Sequence, residues 1–251
     1  LWKAKGSSDA IVNLYEQARK NLEAALKIDP NTYIPTYRLA RTYTALEVFH
    51  AALFPYTLSP YNTGLMYKEA IALRPNGIGV HNSYARYLHY KKDFIELGTI
   101  VRNMTRIYPA VYHKLKREPF FSPDLLPEME KGLLAAVDQG INSINAHSAL
   151  SAYYNENKAY DKAVEHYKQS FALLKSYAVT SGHYMHLGRL YLRAGNPEKS
   201  RSCFMRSIEK SNNFDSTIRR IHSVYKHESS QNQLDQFISC GVELEKKKRF
   251  S

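Results

Sequence analysis

Two histidines, His183 and His186, have a spacing that could support metal chemistry. Residues three apart on a helix share a face, so both imidazoles could point the same way. A zinc site would need further ligands and groups that orient them, and the chain contains no His-Glu-x-x-His motif. We therefore predict no metal site here and interpret the two histidines as a surface or groove pair.

Paired carboxylates could support general acid–base catalysis, and two such pairs occur, Glu128 with Glu130 and Asp161 with Glu165. Each pair has a lysine beside it on a predicted helix, where opposite charges form solvated surface pairs. The chain contains no Gly-x-Ser-x-Gly elbow, no phosphate-binding loop and no dinucleotide fingerprint. We predict that this chain is not an enzyme and that it has no catalytic residue, no metal and no cofactor.

The charge of the chain indicates the class of its partners. It has 251 residues and a net charge of +12. A basic excess favours acidic partners such as peptides, polysaccharides, lipid headgroups or nucleic acid; the alternative is a solvated basic surface without a specific partner. No apolar run reaches the roughly 18 residues of a membrane span. Because the chain opens at Leu1 without Met, we expect a piece of a longer protein, with membrane contact only through the missing part.

The elements that must position these side chains are pairs of helices. Residues 146–171 form a helix–turn–helix pattern, and the same order of residue types returns 37 positions later in 184–207. Two prolines that close the second helices of successive pairs, Pro75 and Pro109, lie 34 residues apart. Self-similarity at this period, with two helices in each unit, indicates an α-solenoid.

The pattern extends over the rest of the chain with two interruptions. An apolar insert is predicted near 47–59, and an irregular joint is predicted near 110–124, where prolines cannot lie inside helices. The helix after the joint should end at Gly140, and a last helix is predicted through 234–244. We predict a single all-α domain over 1–251, with about twelve helices in antiparallel pairs and no sheet.

Small residues recur at one position of the first helix of each pair. These positions hold Ala40, Ala85, Ser151 and Gly188. We predict that they lie where the two helices of a pair approach each other most closely, with Gly188 beside Phe204. A larger side chain at this position should overpack the contact.

The spacing and residue types resemble the tetratricopeptide repeat, which has an aromatic residue, Leu, a small residue and Tyr on helix A, and a small residue, an aromatic residue and a small residue on helix B. The resemblance is strong over 78–109 and 144–212 and weak over 110–140. It implies a right-handed α-solenoid, a superhelix of stacked antiparallel helix pairs. In this family the A helices line a concave groove that holds a peptide or another extended ligand.

The resemblance also implies which residues line that groove. By the family's phase they are Tyr37, Arg41, Asn82, Arg86, His89, Tyr90, Asn155, Arg189, Arg193, Arg219 and Lys226. Some relatives grip a C-terminal carboxylate with Lys and Asn at fixed positions. Arg41, Arg86 and Arg189 occupy the matching asparagine positions here, so the resemblance does not extend to that clamp.

A second resemblance covers about forty residues. The run Tyr108-Pro109 through Ser122-Pro123, with Gly132 and Ala146 beyond it, is similar to the repeat tails of bacterial O-antigen ligase or polymerase proteins, which are membrane proteins. It implies a soluble domain on the periplasmic side of a bacterial membrane, attached to a parent that could be a glycan ligase or polymerase.

Three functions from different classes follow from these observations. The first is a non-catalytic scaffold that binds an extended, acidic protein or peptide segment in a basic concave groove. The second is a periplasmic accessory domain of a polysaccharide ligase or polymerase, whose groove guides an anionic glycan. The third is nucleic-acid binding, which we rank last because the chain lacks a recognised reading module. The compartment would be periplasmic in the second case and cytoplasmic otherwise.

Overall fold

The computed structural model describes residues 5–53 and 59–228. Most of them lie in twelve α-helices, and the described residues include no strand. The helices are α1 (Lys5–Ile28), α2 (Tyr33–Leu53), α3 (Thr63–Leu73), α4 (Ile78–Lys91), α5 (Phe94–Ile107), α6 (Tyr112–Leu115), α7 (Leu126–Asp138), α8 (Ser143–Glu156), α9 (Tyr160–Ala172), α10 (Ser181–Arg193), α11 (Pro197–Glu209) and α12 (Phe214–Glu228). The all-α prediction is confirmed, and the fold is a tetratricopeptide-like solenoid of helix pairs. The helix predicted through 234–244 lies outside the described residues.

The chain forms two compact units, Leu1–Gly132 and Leu133–Ser251. None of the described helices combines the length and the apolar character needed to cross a membrane. The prediction that one domain spans 1–251 stays a prediction, and each unit is described below by itself.

In the first unit, α2 is longer than the repeat pattern indicates. It runs to Leu53, so residues 47–53 of the predicted insert continue a helix instead of forming a separate segment; residues 54–58 lie outside the described part of the chain. No Gly or Pro occurs from Thr36 through Phe54, so nothing in the local sequence stops the helix. The extension has a packing role, because Glu47 is buried and accepts a hydrogen bond of 2.7 Å from Thr63.

The core of the first unit is rich in tyrosine. The rings of Tyr67, Tyr84 and Tyr87 stack on or tilt against one another with centroids 5.1–6.2 Å apart. All three side chains are buried, and burial raises the pKa of Tyr67 to about 12. Aromatic pairs at these distances add stabilisation beyond the area that they bury.

The predicted irregular joint contains the shortest α-helix of the described residues. Helix α6 has four residues, and a 3₁₀ helix over Pro123–Leu125 leads into α7. As predicted, α7 stops at Gly140, which has a φ of +66°. The amide of Ile141 donates to the carbonyl of Ala136 (2.8 Å) and that of Gly140 to Val137 (3.0 Å), a Schellman end.

Within the first unit, α7 approaches α5 closely at Gly132. A Cβ atom at this position would overlap the carbonyl oxygen of Arg102 and the hydroxyl of Thr105. The Thr105 hydroxyl is buried, and the carbonyl oxygen of Met129 lies within hydrogen-bond reach of it (3.2 Å). Only glycine lets the two backbones come this near.

In the second unit, α8 packs on α9 and α10 packs on α11, while α9 also contacts α10 and α11 contacts α12.

The four small residues at the shared helix position, two in each unit, are all buried: Ala40, Ala85, Ser151 and Gly188. Gly188 faces Phe204 as predicted, since a Cβ there would lie 2.6 Å from a ring carbon. Ser151 uses the same position to donate a 2.8 Å hydrogen bond to the carbonyl of Ala163.

Candidate binding groove

The predicted groove residues of the first unit lie on α2 and α4. The Tyr37 hydroxyl donates to the carbonyl of Gly79 (3.3 Å) and lies 2.8 Å from the Ser83 Oγ, which ties α2 to α4. The Arg41 guanidinium lies 6.0 Å from the centre of the Tyr37 ring. Tyr37 is half-buried and links the two helices, whereas the resemblance implies a residue that faces the ligand.

Arg86, also on α4, is paired with an acidic residue. It donates to the Oε2 of Glu118 through Nη2 at 2.7 Å and Nε at 3.2 Å. The Glu118 side chain is only 8% exposed, whereas that of Arg86 is 58% exposed. The positive charge of Arg86 is consequently offset at the surface by a carboxylate that the joint between α6 and α7 supplies.

The remaining predicted residues of the first unit do not gather at one place. Arg41 lines a cavity of about 440 Å³ between α1 and α2, together with Arg38. His89 lines a different cavity beside the start of α5, where its ring meets Phe94 edge-on. Tyr90 is 43% exposed. Asn82 is half-buried, and its Oδ1 atom has no hydrogen-bond partner among the described residues.

In the second unit, the structure brings two predicted residues together. The Arg193 Nη1 on α10 donates to the Oδ1 of Asn155 on α8 at 2.8 Å. Asparagine is neutral, so this bond orients the guanidinium but does not itself offset its charge. The bond also ties the A helices of two successive pairs.

His186, next to this bond on α10, is held in its neutral form. Its ring lies against Tyr167 with centroids 4.6 Å apart. Burial, together with the positive charges of Arg189 and Arg193, lowers the pKa of His186 to about 4. The imidazole therefore adds no positive charge near neutral pH.

His183 has a separate role and does not converge with His186 on a metal site. The backbone N–H of Thr180 donates to the His183 Nδ1 at 3.1 Å, which caps the start of α10. The described residues contain no group of three or more potential metal ligands. The structure adds a histidine pair that sequence spacing does not indicate, since the Nδ1 atoms of His147 and His166 lie 3.0 Å apart.

A cavity of about 260 Å³ lies between α10 and α12. Of the predicted residues only Arg189 lines it; Arg219 and Lys226 are exposed on α12 but are not among the lining residues. The side chains that line it with Arg189 are Met185, Arg220, Ser223, Val224 and His227. The α12 residues Arg220 and His227 line this cavity, and each lies one position after a predicted groove residue.

Residues 184–213, which include most of α10 and all of α11, match the tetratricopeptide repeat. The matched residues include Gly188 and two of the predicted groove arginines, Arg189 and Arg193. Among curated protein sequences, none matches this chain.

Three solved structures are similar to this chain at low identity. A human IFIT1 dimer with PPP-AAAA is 16% identical over 92% of this chain, with a TM-score of 0.40; this chain spans 55% of its length. TTC0263, a thermophilic TPR protein in Thermus thermophilus, is 19% identical over 87% of this chain and 94% of its own, with a TM-score of 0.38. YrrB, a TPR protein with an unusual peptide-binding site, is 13% identical over 79% of this chain and 96% of its own, with a TM-score of 0.40.

Proposed function

We propose that this chain is a non-catalytic interaction scaffold that holds an extended, acidic segment of a partner protein against its A helices. Repeat solenoids present extended surfaces of this kind. The observation that carries the proposal is the hydrogen bond from Arg193 to Asn155, which holds a guanidinium in place on the A helices of two successive pairs. Arginine suits carboxylates because its planar fork donates two parallel hydrogen bonds.

The contact surface proposed for the second unit centres on Asn155, Arg189 and Arg193. The amide of Asn155 offers further donors to a bound backbone, since Arg193 occupies only its oxygen. Arg219 and Lys226 are exposed on α12 and attract an acidic segment over a longer range.

The first unit contributes mainly polar and aromatic contacts to the proposed surface. Tyr37 and Tyr90 offer contact area, and Asn82 and His89 offer hydrogen bonds. Arg41 lies beside the Tyr37 ring, whereas the charge of Arg86 is offset by Glu118. Acidic ligands should accordingly bind more strongly to the second unit than to the first.

The proposal is tested with a fluorescent peptide rich in glutamate. In the test variant, Arg189 and Arg193 are both changed to Gln. In the matched control, Arg201 on α11 and Lys210 just after it are both changed to Gln, which removes the same charge from exposed positions. We expect the first variant to bind about tenfold more weakly, because two charge-assisted contacts are lost. Equal losses in the two variants would show that only net charge matters, and thermal unfolding checks that both fold.

Anionic glycans and nucleic acid are the other ligands that this charge pattern admits. The solved structures described above include no membrane ligase or polymerase, so the accessory-domain function stays a prediction. The same assay run with an acidic polysaccharide and with a short single-stranded oligonucleotide separates the classes. If the polysaccharide or the oligonucleotide binds more tightly than the peptide, and its binding is weakened equally by the loss of Arg193, then that class of ligand is the partner and the acidic peptide is not.

A further inference from the structure

The cavity between α10 and α12 is lined by hydrogen-bond donors and by a small apolar floor. Arg189 contributes from α10, and Arg220, Ser223 and His227 contribute from α12. The three α12 residues are spaced three and four apart, so they share one face of the helix. Of the residues that the structure describes, no aspartate or glutamate lines the cavity.

Size limits what the cavity can take. Its volume is about 260 Å³, which is slightly below the roughly 300–1,000 Å³ of pockets that enclose a drug-sized molecule. It therefore suits one side-chain group of a longer ligand better than a whole small molecule. Met185, which is buried, and Val224 form the apolar part of the lining, and apolar surroundings strengthen the attraction between charges.

We propose that this cavity is a subsite for a phosphorylated side chain on the bound partner segment. The inference rests on the proposed function, since it names one group of the same extended ligand. It goes beyond that function by assigning Arg220, Ser223 and His227, which the repeat phase does not indicate, and by making binding depend on a modification of the partner.

A phosphoryl group matches this lining better than a carboxylate does. A phosphorylated serine carries a charge of about −1.5 to −2 near neutral pH and has three strong acceptor oxygens. The guanidinium of Arg220 carries five N–H donors, and Arg189, the Ser223 hydroxyl and the His227 ring add more to the lining. A carboxylate has one negative charge and two oxygens, so it can accept from fewer of these donors.

The experiment uses the whole chain and one acidic peptide in three forms, with a central serine, phosphoserine or glutamate. We expect the phosphoserine form to bind about tenfold more tightly than the serine form, with the glutamate form between them. Inorganic phosphate should compete with the phosphoserine form more effectively than acetate does. Fluorescence anisotropy at two salt concentrations measures all three affinities.

The adjacent arginines of α12 provide a matched pair of variants. Arg220→Gln should remove most of the preference for phosphoserine, whereas Arg219→Gln, which removes the same charge one residue away, should keep most of it. Ser223→Ala should reduce the preference by a smaller factor. Thermal unfolding of each variant shows whether it is folded before its binding is interpreted.

The outcomes separate this inference from the function on which it rests. If the acidic peptide binds and depends on Arg193, but phosphorylation gives no advantage, the subsite is wrong and the scaffold function stands. If no form of the peptide binds, the scaffold function itself is wrong. Equal effects of Arg219→Gln and Arg220→Gln would also overturn the subsite, because they would show that the preference follows net charge and not the cavity.

Discussion

The two units place arginines on their A helices beside different neighbours. In the first unit, Arg86 is bonded to the carboxylate of Glu118, which is almost fully buried. In the second, Arg193 is bonded to the neutral amide of Asn155. The helix phase determines where each side chain lies, whereas the neighbouring side chains determine what it bonds to.

Close helix contacts also differ between the units. At Gly132 in the first unit, the nearest obstacle includes the backbone carbonyl of Arg102. At Gly188 in the second, the obstacle is the ring of Phe204. A side-chain ring can rotate or shift by a few tenths of an ångström, whereas a helix carbonyl moves only with its helix. Glycine is therefore a stricter requirement at Gly132 than at Gly188.

The largest effect that we expect comes from Gly132→Ala. The new Cβ would overlap the Arg102 carbonyl and the Thr105 hydroxyl, so α5 and α7 would have to separate. We expect the free energy of unfolding to fall by about 3 kcal/mol, which exceeds the gain in helix propensity from Gly to Ala. Urea denaturation measures the change.

The control is Gly79→Ala on α4, where the nearest atom to a new Cβ is the Tyr37 hydroxyl at 3.9 Å. This contact is ordinary, so the control should be neutral or slightly stabilising. A loss at Gly132 no greater than that at Gly79 would contradict the close approach of α5 and α7.

The second prediction concerns the acid stability of the second unit. The pKa of His186 is lowered from 6.5 to about 4 in the folded protein, chiefly by burial. The unfolded chain binds more protons between these values, so stability is retained above pH 6.5 and is lost as the pH falls toward 4. This one residue should lower the free energy of unfolding by about 2 kcal/mol near pH 5.

The measurement compares denaturant midpoints near neutral pH with those near pH 5 for the parent protein and for His186→Gln. The variant should lose less stability on acidification, whatever its stability near neutral pH. His222→Gln, at an exposed position on α12, serves as the control. An unchanged pH dependence in His186→Gln would mean that His186 is not buried in its neutral form.

The third prediction is a smaller loss for Gly188→Ala. Its Cβ would lie 2.6 Å from a ring carbon of Phe204, and the ring must shift to admit it. We expect a net loss of about 1 kcal/mol, after the gain in helix propensity is included. In a Phe204→Leu background the same substitution should cost less, because the ring is gone. An equal cost in both backgrounds would place the strain elsewhere.

The smallest effect is a gain in binding. Glu118→Gln removes the carboxylate that offsets Arg86. We expect the affinity for an acidic peptide to rise by about two- to threefold at low salt, because exposed charges act weakly and are screened. Glu209→Gln on α11 removes the same charge as a control, and equal gains in both variants would reduce the effect to net charge.

Local features of the chain were predictable from the sequence because they depend on neighbours within a turn or two of helix. The periods of small and apolar residues predict the helix pairs and the contact of Gly188 with Phe204, and Gly140 predicts the end of α7. The insert near 47–59 was predicted less well. Its apolar residues indicate packing, but this stretch contains no helix breaker before Pro55, so α2 continues to Leu53.

Only the tertiary structure decided which residues that lie far apart in the chain contact each other. Glu118 reaches Arg86 from an irregular joint 32 residues away, and no periodic pattern places it there. The close approach at Gly132 depends on how α7 crosses α5, which the degenerate repeat does not indicate. Arg220 lines the α10–α12 cavity and Arg219 does not, because of the way α12 is rotated about its own axis. A turn of helix sets the spacing of side chains, whereas packing sets which of them meet.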